Sequence, residues 1–141
     1  MKAKNYLRQI ELLDAKIDTR CEEIMRLKTL ATRTTTALGG ERVQSSGSQD
    51  KMADCIAKIA DLQNEINAEI DKFVDLRNEA QALIEKHCEA DCIRLLYARY
   101  FEYKTWEKIA VDMNFTYQWV AGDLHKKALE QLQKGLDRKD G

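Results

Sequence analysis

Proline is absent from the 141 residues, and glycine occurs only six times. Nothing in such a chain forces a helix to break, so long uninterrupted helices are open to it. Aromatic residues make up only 7% while charged residues reach 33%, a mix that favours helices with narrow apolar stripes over a thick globular core. No apolar run approaches the ~20 residues that span a bilayer. No signal-peptide core follows Met1-Lys2-Ala3-Lys4-Asn5. The expectation is a soluble, cytoplasmic protein without membrane contact. A net charge of −1 excludes a polycation, so any nucleic-acid contact must come from local arrangement.

Chemistry-bearing groups are equally sparse. His87 and His125 are the only histidines, and no Ser/His/Asp set, glycine-rich phosphate loop or pocketed carboxylate pair is readable. Glu22-Glu23 and similar pairs sit on solvated helix faces, where pKa tuning is weak. His87-Cys88 with Cys92 lacks the spacing and the second ligand pair of a zinc site. The sequence therefore implies no enzyme, no cofactor and no metal, and the four cysteines read as thiols in a reducing compartment.

What is present is periodicity. Residues 3–36 place Ala3, Tyr6, Ile10, Leu13, Ile17, Ile24, Leu27 and Ala31 at alternating steps of three and four, with Arg20 at one core position and Leu7, Leu12, Met25 and Leu30 widening the stripe. At ~1.5 Å per residue this helix is about 50 Å long and needs a partner to bury its seam. Glycine and serine then cluster between Gly39 and Gln49, the expected loop, with Ser48 or Asp50 as the next N-cap. A second seam follows through Met52, Ile56, Ile59, Ile66, Ile70, Phe73, Ala80 and Ile84, with Gln63 and Arg77 at two core positions and Leu62, Val74, Leu76 and Leu83 beside it. Two such seams fold back as an antiparallel coiled-coil hairpin over residues 1–88. Residues 1–38 carry +3 and residues 49–88 carry −4, which favours docking of the arms. Folding back near residue 44 leaves Cys21 and Cys55 about a dozen residues out of register, ~18 Å, too far for a disulfide. The seams can be satisfied within one hairpin or by pairing two hairpins into a four-helix bundle. Arg20, Gln63 and Arg77 read as register devices or snorkelling side chains.

After Glu85 the pattern changes, and residues 89–141 hold most of the aromatics and both tryptophans. A short helix, Asp91 to Phe101, is followed by a break at Glu102-Tyr103-Lys104. Thr105 caps a second helix, Trp106 to Met113, with Glu107 in its first turn. Asn114 suits the left-handed conformation that ends a helix. Phe115 plugs the turn, and Thr116 caps a third helix from Tyr117 to about Leu136, with Tyr117, Val120, Leu124, Ala128 and Leu132 facing inward. This order predicts a three-helical helix-turn-helix module over a core of Trp106, Ile109, Ala110, Phe115, Val120 and Leu124.

The residues Leu96-Tyr97-Ala98-Arg99-Tyr100, Lys104-Thr105-Trp106-Glu107-Lys108-Ile109-Ala110, Met113-Asn114-Phe115-Thr116-Tyr117, Val120 and Lys127-Ala128-Leu129 resemble region four of bacterial sigma factors, which reads the −35 promoter element through its third helix. Together with Glu41-Arg42-Val43-Gln44-Ser45-Ser46-Gly47-Ser48 and Asp50-Lys51-Met52, nearly the whole chain is similar to small phage and prophage proteins of Gram-positive bacteria that join a coiled-coil front half to such a tail. The chain departs from the pattern in three places. Tyr103 stands where glycine is usual, the stretch from Val120 to Lys127-Ala128-Leu129 is one residue longer, and Ala121, Gly122 and Asp123 replace frequent arginines.

The resemblance implies a phage-type transcription regulator in the cytoplasm of a bacterial host cell, binding double-stranded DNA, RNA polymerase or both, and forming a homo-oligomer through the hairpin. The expected DNA-binding residues are Thr105, Thr116, Tyr117, Gln118, Trp119, Gly122, Lys126 and Lys127. Gln118 suits adenine, and Thr116 with Lys126 suits phosphate. An outward Trp119 can stack on DNA sugar, pack against the hairpin or meet a partner protein. Arg94 and Arg99 either touch phosphate or pair with Glu102 and Glu107. Lys127, Lys134, Arg138 and Lys139 make a basic tail balanced by Asp137 and Asp140. The rival reading is a structural or interaction protein whose helix-turn-helix docks proteins instead of DNA.

Overall fold

In a computed structural model of the chain, the backbone is described for residues 1–40 and 46–140 and the side chains for residues 1–33 and 50–139. Among the described residues the fold is all-helical, with no strand. The elements are α1 (Ala3–Gly40), α2 (Ser46–His87), α3 (Ala90–Leu96), α4 (Trp106–Met113) and α5 (His125–Asp140). Two π-helical stretches, Tyr97–Phe101 and Trp119–Leu124, extend α3 and lead into α5. No helix among the described residues is long and apolar enough to cross a membrane. The centre of the expected loop, residues 41–45, lies outside the described residues. Its flanks differ from expectation: Gly39 and Gly40 still belong to α1, and Ser48 and Asp50 lie inside α2, so neither caps it. Each helical glycine costs only ~1 kcal/mol, which does not forbid continuation.

The chain divides into two compact units, and the divisions fall inside both long helices. In the unit Leu13–Phe73, Ile17 and Ile24 pack on Leu62 and Ile66, edged by Leu13, Leu27, Ile59 and Phe73. Arg20 sits in this seam and donates from Nε to Glu69 Oε1 at 2.7 Å and from Nη1 to Glu65 Oε2 at 2.6 Å. Lys16 Nζ lies 3.7 Å from the same Glu69 oxygen. Partner numbers fall as α1 numbers rise, so the two segments run antiparallel. The hydroxyls of Thr19, Thr29 and Thr32 bond back to the carbonyls of Ala15, Met25 and Lys28, which keeps these polar groups satisfied on the helix.

The α2 stripe corrects the sequence reading. Ile56 and Ile70 are 58% and 39% exposed, Gln63 is exposed, and Leu62 is buried. Two interleaved stripes share Ile59, Ile66 and Phe73 and differ only in whether 62 and 69 or 63 and 70 lie between them. The first choice buries a leucine and presents Glu69 to Arg20; the second would leave the guanidinium facing Gln63 and Ile70, without a carboxylate. On α1, Met25 and Leu30 are likewise exposed.

The second unit, Met1–Leu12 with Val74–Gly141, joins the ends of both long helices to α3, α4 and α5. The sequence placed a boundary at residue 88/89, whereas these contacts gather residues 1–12 and 74–87 into the C-terminal core. Leu7, Ile10, Ile84, Leu95, Leu96, Ile109, Val120 and Leu132 are fully enclosed there. Arg77 lies over the Phe101 ring, 5.5 Å from its centroid, and Tyr97 Oη donates to Glu85 at 2.8 Å. The backbone N–H of Ala3 donates to Gln133 Oε1 at 2.7 Å, and Gln133 Nε2 donates to the Met1 carbonyl at 3.0 Å, tying the first turn of α1 to α5.

The break between the Tyr97–Phe101 stretch and α4 turns on Tyr103, at φ 58. This is the left-handed region that glycine enters freely and a tyrosine enters at about 1–2 kcal/mol.

Candidate nucleic-acid interface

Local hydrogen bonds shape the segment from α4 into α5. Thr105, in extended conformation, caps α4: its Oγ1 accepts from the Lys108 N–H at 3.2 Å. Asn114 closes α4 at φ 59, ψ 42, and the Phe115 N–H bonds to the Ala110 carbonyl at 3.0 Å. Thr116 Oγ1 then accepts from the Trp119 N–H at 3.2 Å, and the Thr116 carbonyl from Val120 N–H at 3.1 Å. Both threonine oxygens serve as caps, and each hydroxyl keeps its proton to donate.

From Thr116 the chain enters the π-helical stretch Trp119–Leu124. A π turn holds more residues than an α turn, and this stretch coincides with the extra residue counted between Val120 and Lys127. It keeps Val120, Leu124, Ala128, Leu132 and Leu136 on one buried face. Two core assignments are corrected. Phe115 is 38% exposed and Tyr117 46% exposed, so neither fills the interior. Ile109, Ala110 and Met113 from α4 close the core under Val120 and Leu124, which removes the need for a plug at Phe115.

The eight expected contact residues fall on separate surfaces. Thr116 and Trp119 line an apolar hollow with Ala110, Val111, Asn114 and Phe115. Tyr117 and Gln118 project beside it and are exposed. Gly122 and Lys126 lie on another hollow, with Lys2, Ala3, Lys4, His125, Leu129, Glu130 and Gln133. A Cβ added at Gly122 would meet nothing within 4 Å, so no packing inside the chain requires this glycine. Thr105 stands at the start of α4. Lys127 turns to α3 instead, 2.7 Å from Glu89 Oε2.

Next to the Gly122 hollow lies a cleft of about 460 Å³ lined by Lys4, Arg8, Glu11, Arg99, Tyr100, Tyr103, Trp106, Ala121 and His125. Lys4 and His125 border both hollows. Arg99 packs over the Trp106 ring, 4.5 Å from its centroid, and donates to the Lys104 carbonyl at 3.1 Å. Lys104, not Arg99, takes the carboxylates here, at 3.1 Å from Glu102 and 3.4 Å from Asp112. His125 Nε2 and Tyr100 Oη share a hydrogen bond of 2.7 Å, with Trp106 4.7 Å from the imidazole. Burial, reinforced by Lys4 and Arg99, holds the His125 pKa down to about 4. The imidazole is therefore neutral near pH 7, and the positive charge of the cleft belongs to Lys4, Arg8 and Arg99. The sequence signal for this surface is the cation-rich start, Lys2, Lys4 and Arg8, which charge counting alone assigns to pairing between the arms.

The thiols have no comparable setting. All four cysteines are free. Burial and the neighbouring Cys92 push the Cys88 pKa up to about 11, and burial raises that of Cys92. No group of three or more histidine, cysteine or acidic residues that could hold a metal ion occurs among the described residues. Set beside known protein families, curated proteins and solved structures, the chain matches none of them.

Proposed function

We propose that the chain is a phage-type transcription regulator, in which α4, the turn and the helix beginning at Tyr117 act as a sigma-region-four-like helix-turn-helix carried on an antiparallel coiled-coil hairpin. It binds promoter DNA, RNA polymerase or both in the cytoplasm of a bacterial host, and works by recruitment or occlusion without covalent chemistry. One observation carries this reading. Two threonine caps and a left-handed Asn114 hold Tyr117, Gln118 and Trp119 exposed above a closed core, and the helix that follows presents a bare Gly122 and Lys126 beside uncompensated cations. Gln118 offers an amide for adenine, Thr116 and Lys126 offer phosphate donors, and Gly122 lets backbone approach a groove wall.

The exposed Met25, Leu30, Ile56 and Ile70 on the long helices support self-association through the hairpin.

Selection of bound duplexes from a random pool tests the reading. A selected site should be bound with affinity that falls steeply as salt rises, and Gln118→Ala with Lys126→Ala should abolish the sequence preference. A protein-docking module is the second reading, favoured by the apolar surface of Val111, Phe115 and Trp119, with Val111 74% exposed. Absence of any duplex binding at low salt would overturn the first reading in favour of the second.

A further inference from the structure

We propose that the first two turns of α1 belong to the nucleic-acid interface, with Lys4 and Arg8 binding backbone phosphodiesters of the duplex that faces Gly122 and Lys126. The inference rests on the DNA-binding reading above and adds a contact surface from the opposite end of the sequence.

Charge placement is the first argument. The chain carries −1 overall, yet the two adjoining hollows around His125 are lined by five cationic side chains, Lys2, Lys4, Arg8, Arg99 and Lys126, against only Glu11 and Glu130. Pairing is the second. Lys104, Lys108, Lys127 and Lys139 each hold a carboxylate, and Lys16 and Arg20 on α1 hold Glu65 and Glu69. Lys2, Lys4, Arg8 and Lys126 make no ion pair among the described residues. On α1, Lys16 and Arg20 are thus paired with α2 and Arg26 with Glu23 of its own helix, while Lys2, Lys4 and Arg8 at its start face solvent. Anchoring is the third. Gln133 grips both Met1 and Ala3, so the backbone bearing Lys2 and Lys4 is fixed against α5 and only side-chain freedom remains to be lost on binding. The Arg99 guanidinium, held over the Trp106 ring, lines the same cleft.

A phosphodiester chain suits this surface better than a single small anion, because the cations are spread over two hollows. Such contacts add affinity without reading sequence.

The experiment compares wild type, Lys4→Ala/Arg8→Ala and a control, Lys28→Ala/Lys72→Ala, by salt titration of duplex affinity, with tripolyphosphate as competitor. The expected result is a loss on the order of tenfold for the first variant, equal for selected and random duplexes, with a salt slope shallower by about two. The control should bind as wild type does, and tripolyphosphate should compete only at concentrations far above the duplex. Wild-type binding with an unchanged slope in Lys4→Ala/Arg8→Ala overturns this inference alone. Tripolyphosphate competing as well as the duplex assigns the cleft to a small polyanion and overturns it too. No wild-type binding to any duplex overturns the DNA reading and this inference together. Unchanged helical circular dichroism in each variant separates lost contacts from lost folding.

Discussion

The two compact units are built from the same kind of helix but are held together differently. Leu13–Phe73 buries a single file of aliphatic side chains, Ile17, Ile24, Leu62 and Ile66, and threads a charged cluster, Arg20 with Glu65 and Glu69, through it. The other unit encloses at least eight large side chains to less than 2% exposure and adds an aromatic cluster of Tyr100, Trp106 and His125. A paired seam one residue wide leaves the edges of its side chains 6–9% exposed, whereas helices converging from several directions can exclude water entirely. Tolerance to substitution should follow that difference.

The sharpest way to break this comparison is truncation. Leu96→Ala should cost about 3–4 kcal/mol in urea unfolding, because Leu96 is fully enclosed, and Ile24→Ala should cost about 2, because water already reaches its edge. Equal losses would show the seam to be as dry as the larger core. Gly135→Ala comes next. An added Cβ would lie 2.5 Å from His87 Cδ2, so the substitution should cost about 2 kcal/mol, and His87→Ala in the same chain should recover most of it.

A smaller effect is a pH dependence confined to the aromatic cluster. The unfolded chain takes up the His125 proton near pH 6.5 and the folded chain only near 4. Stability is therefore complete above about pH 6.5, falls as pH drops toward 4, and levels off below. Because water reaches part of the ring, the loss should be roughly 1–2 kcal/mol. His125→Gln should lack this slope, so that subtracting its stability–pH curve from that of wild type isolates the fall between about pH 6.5 and 4. Smallest is the charged cluster. Arg20→Ala should cost about 1 kcal/mol, mainly by leaving the partly buried Glu69 with only the longer Lys16 contact, while Arg20→Met should be nearly neutral. Thermal melting of the pair checks both.

Much of this architecture was legible in the residues, since helix periodicity and capping are local. The α1 seam, the Thr105 cap, the left-handed Asn114 and the break at Glu102-Tyr103-Lys104 can each be read from a few neighbours. The illegible parts depend on something distant. The phase of the α2 stripe is decided by Arg20 on another helix. Phe115 looks like core until Met113 and Val120 are seen to fill the space first. Lys127 looks like a groove contact until Glu89 claims it. The cationic start of α1 is read as an arm-pairing device because the sequence does not show that α5 takes hold of its first turn.

The placement of the thiols has a practical consequence. Cys21 lies open on the narrow seam, whereas Cys92 is sealed away and Cys88 resists ionisation up to about pH 11. A thiol-selective fluorophore added at neutral pH would attach first at Cys21, since only an accessible thiolate reacts. The natural chain thus carries its own labelling handle, placing a reporter on one unit while leaving the proposed reading head unmodified.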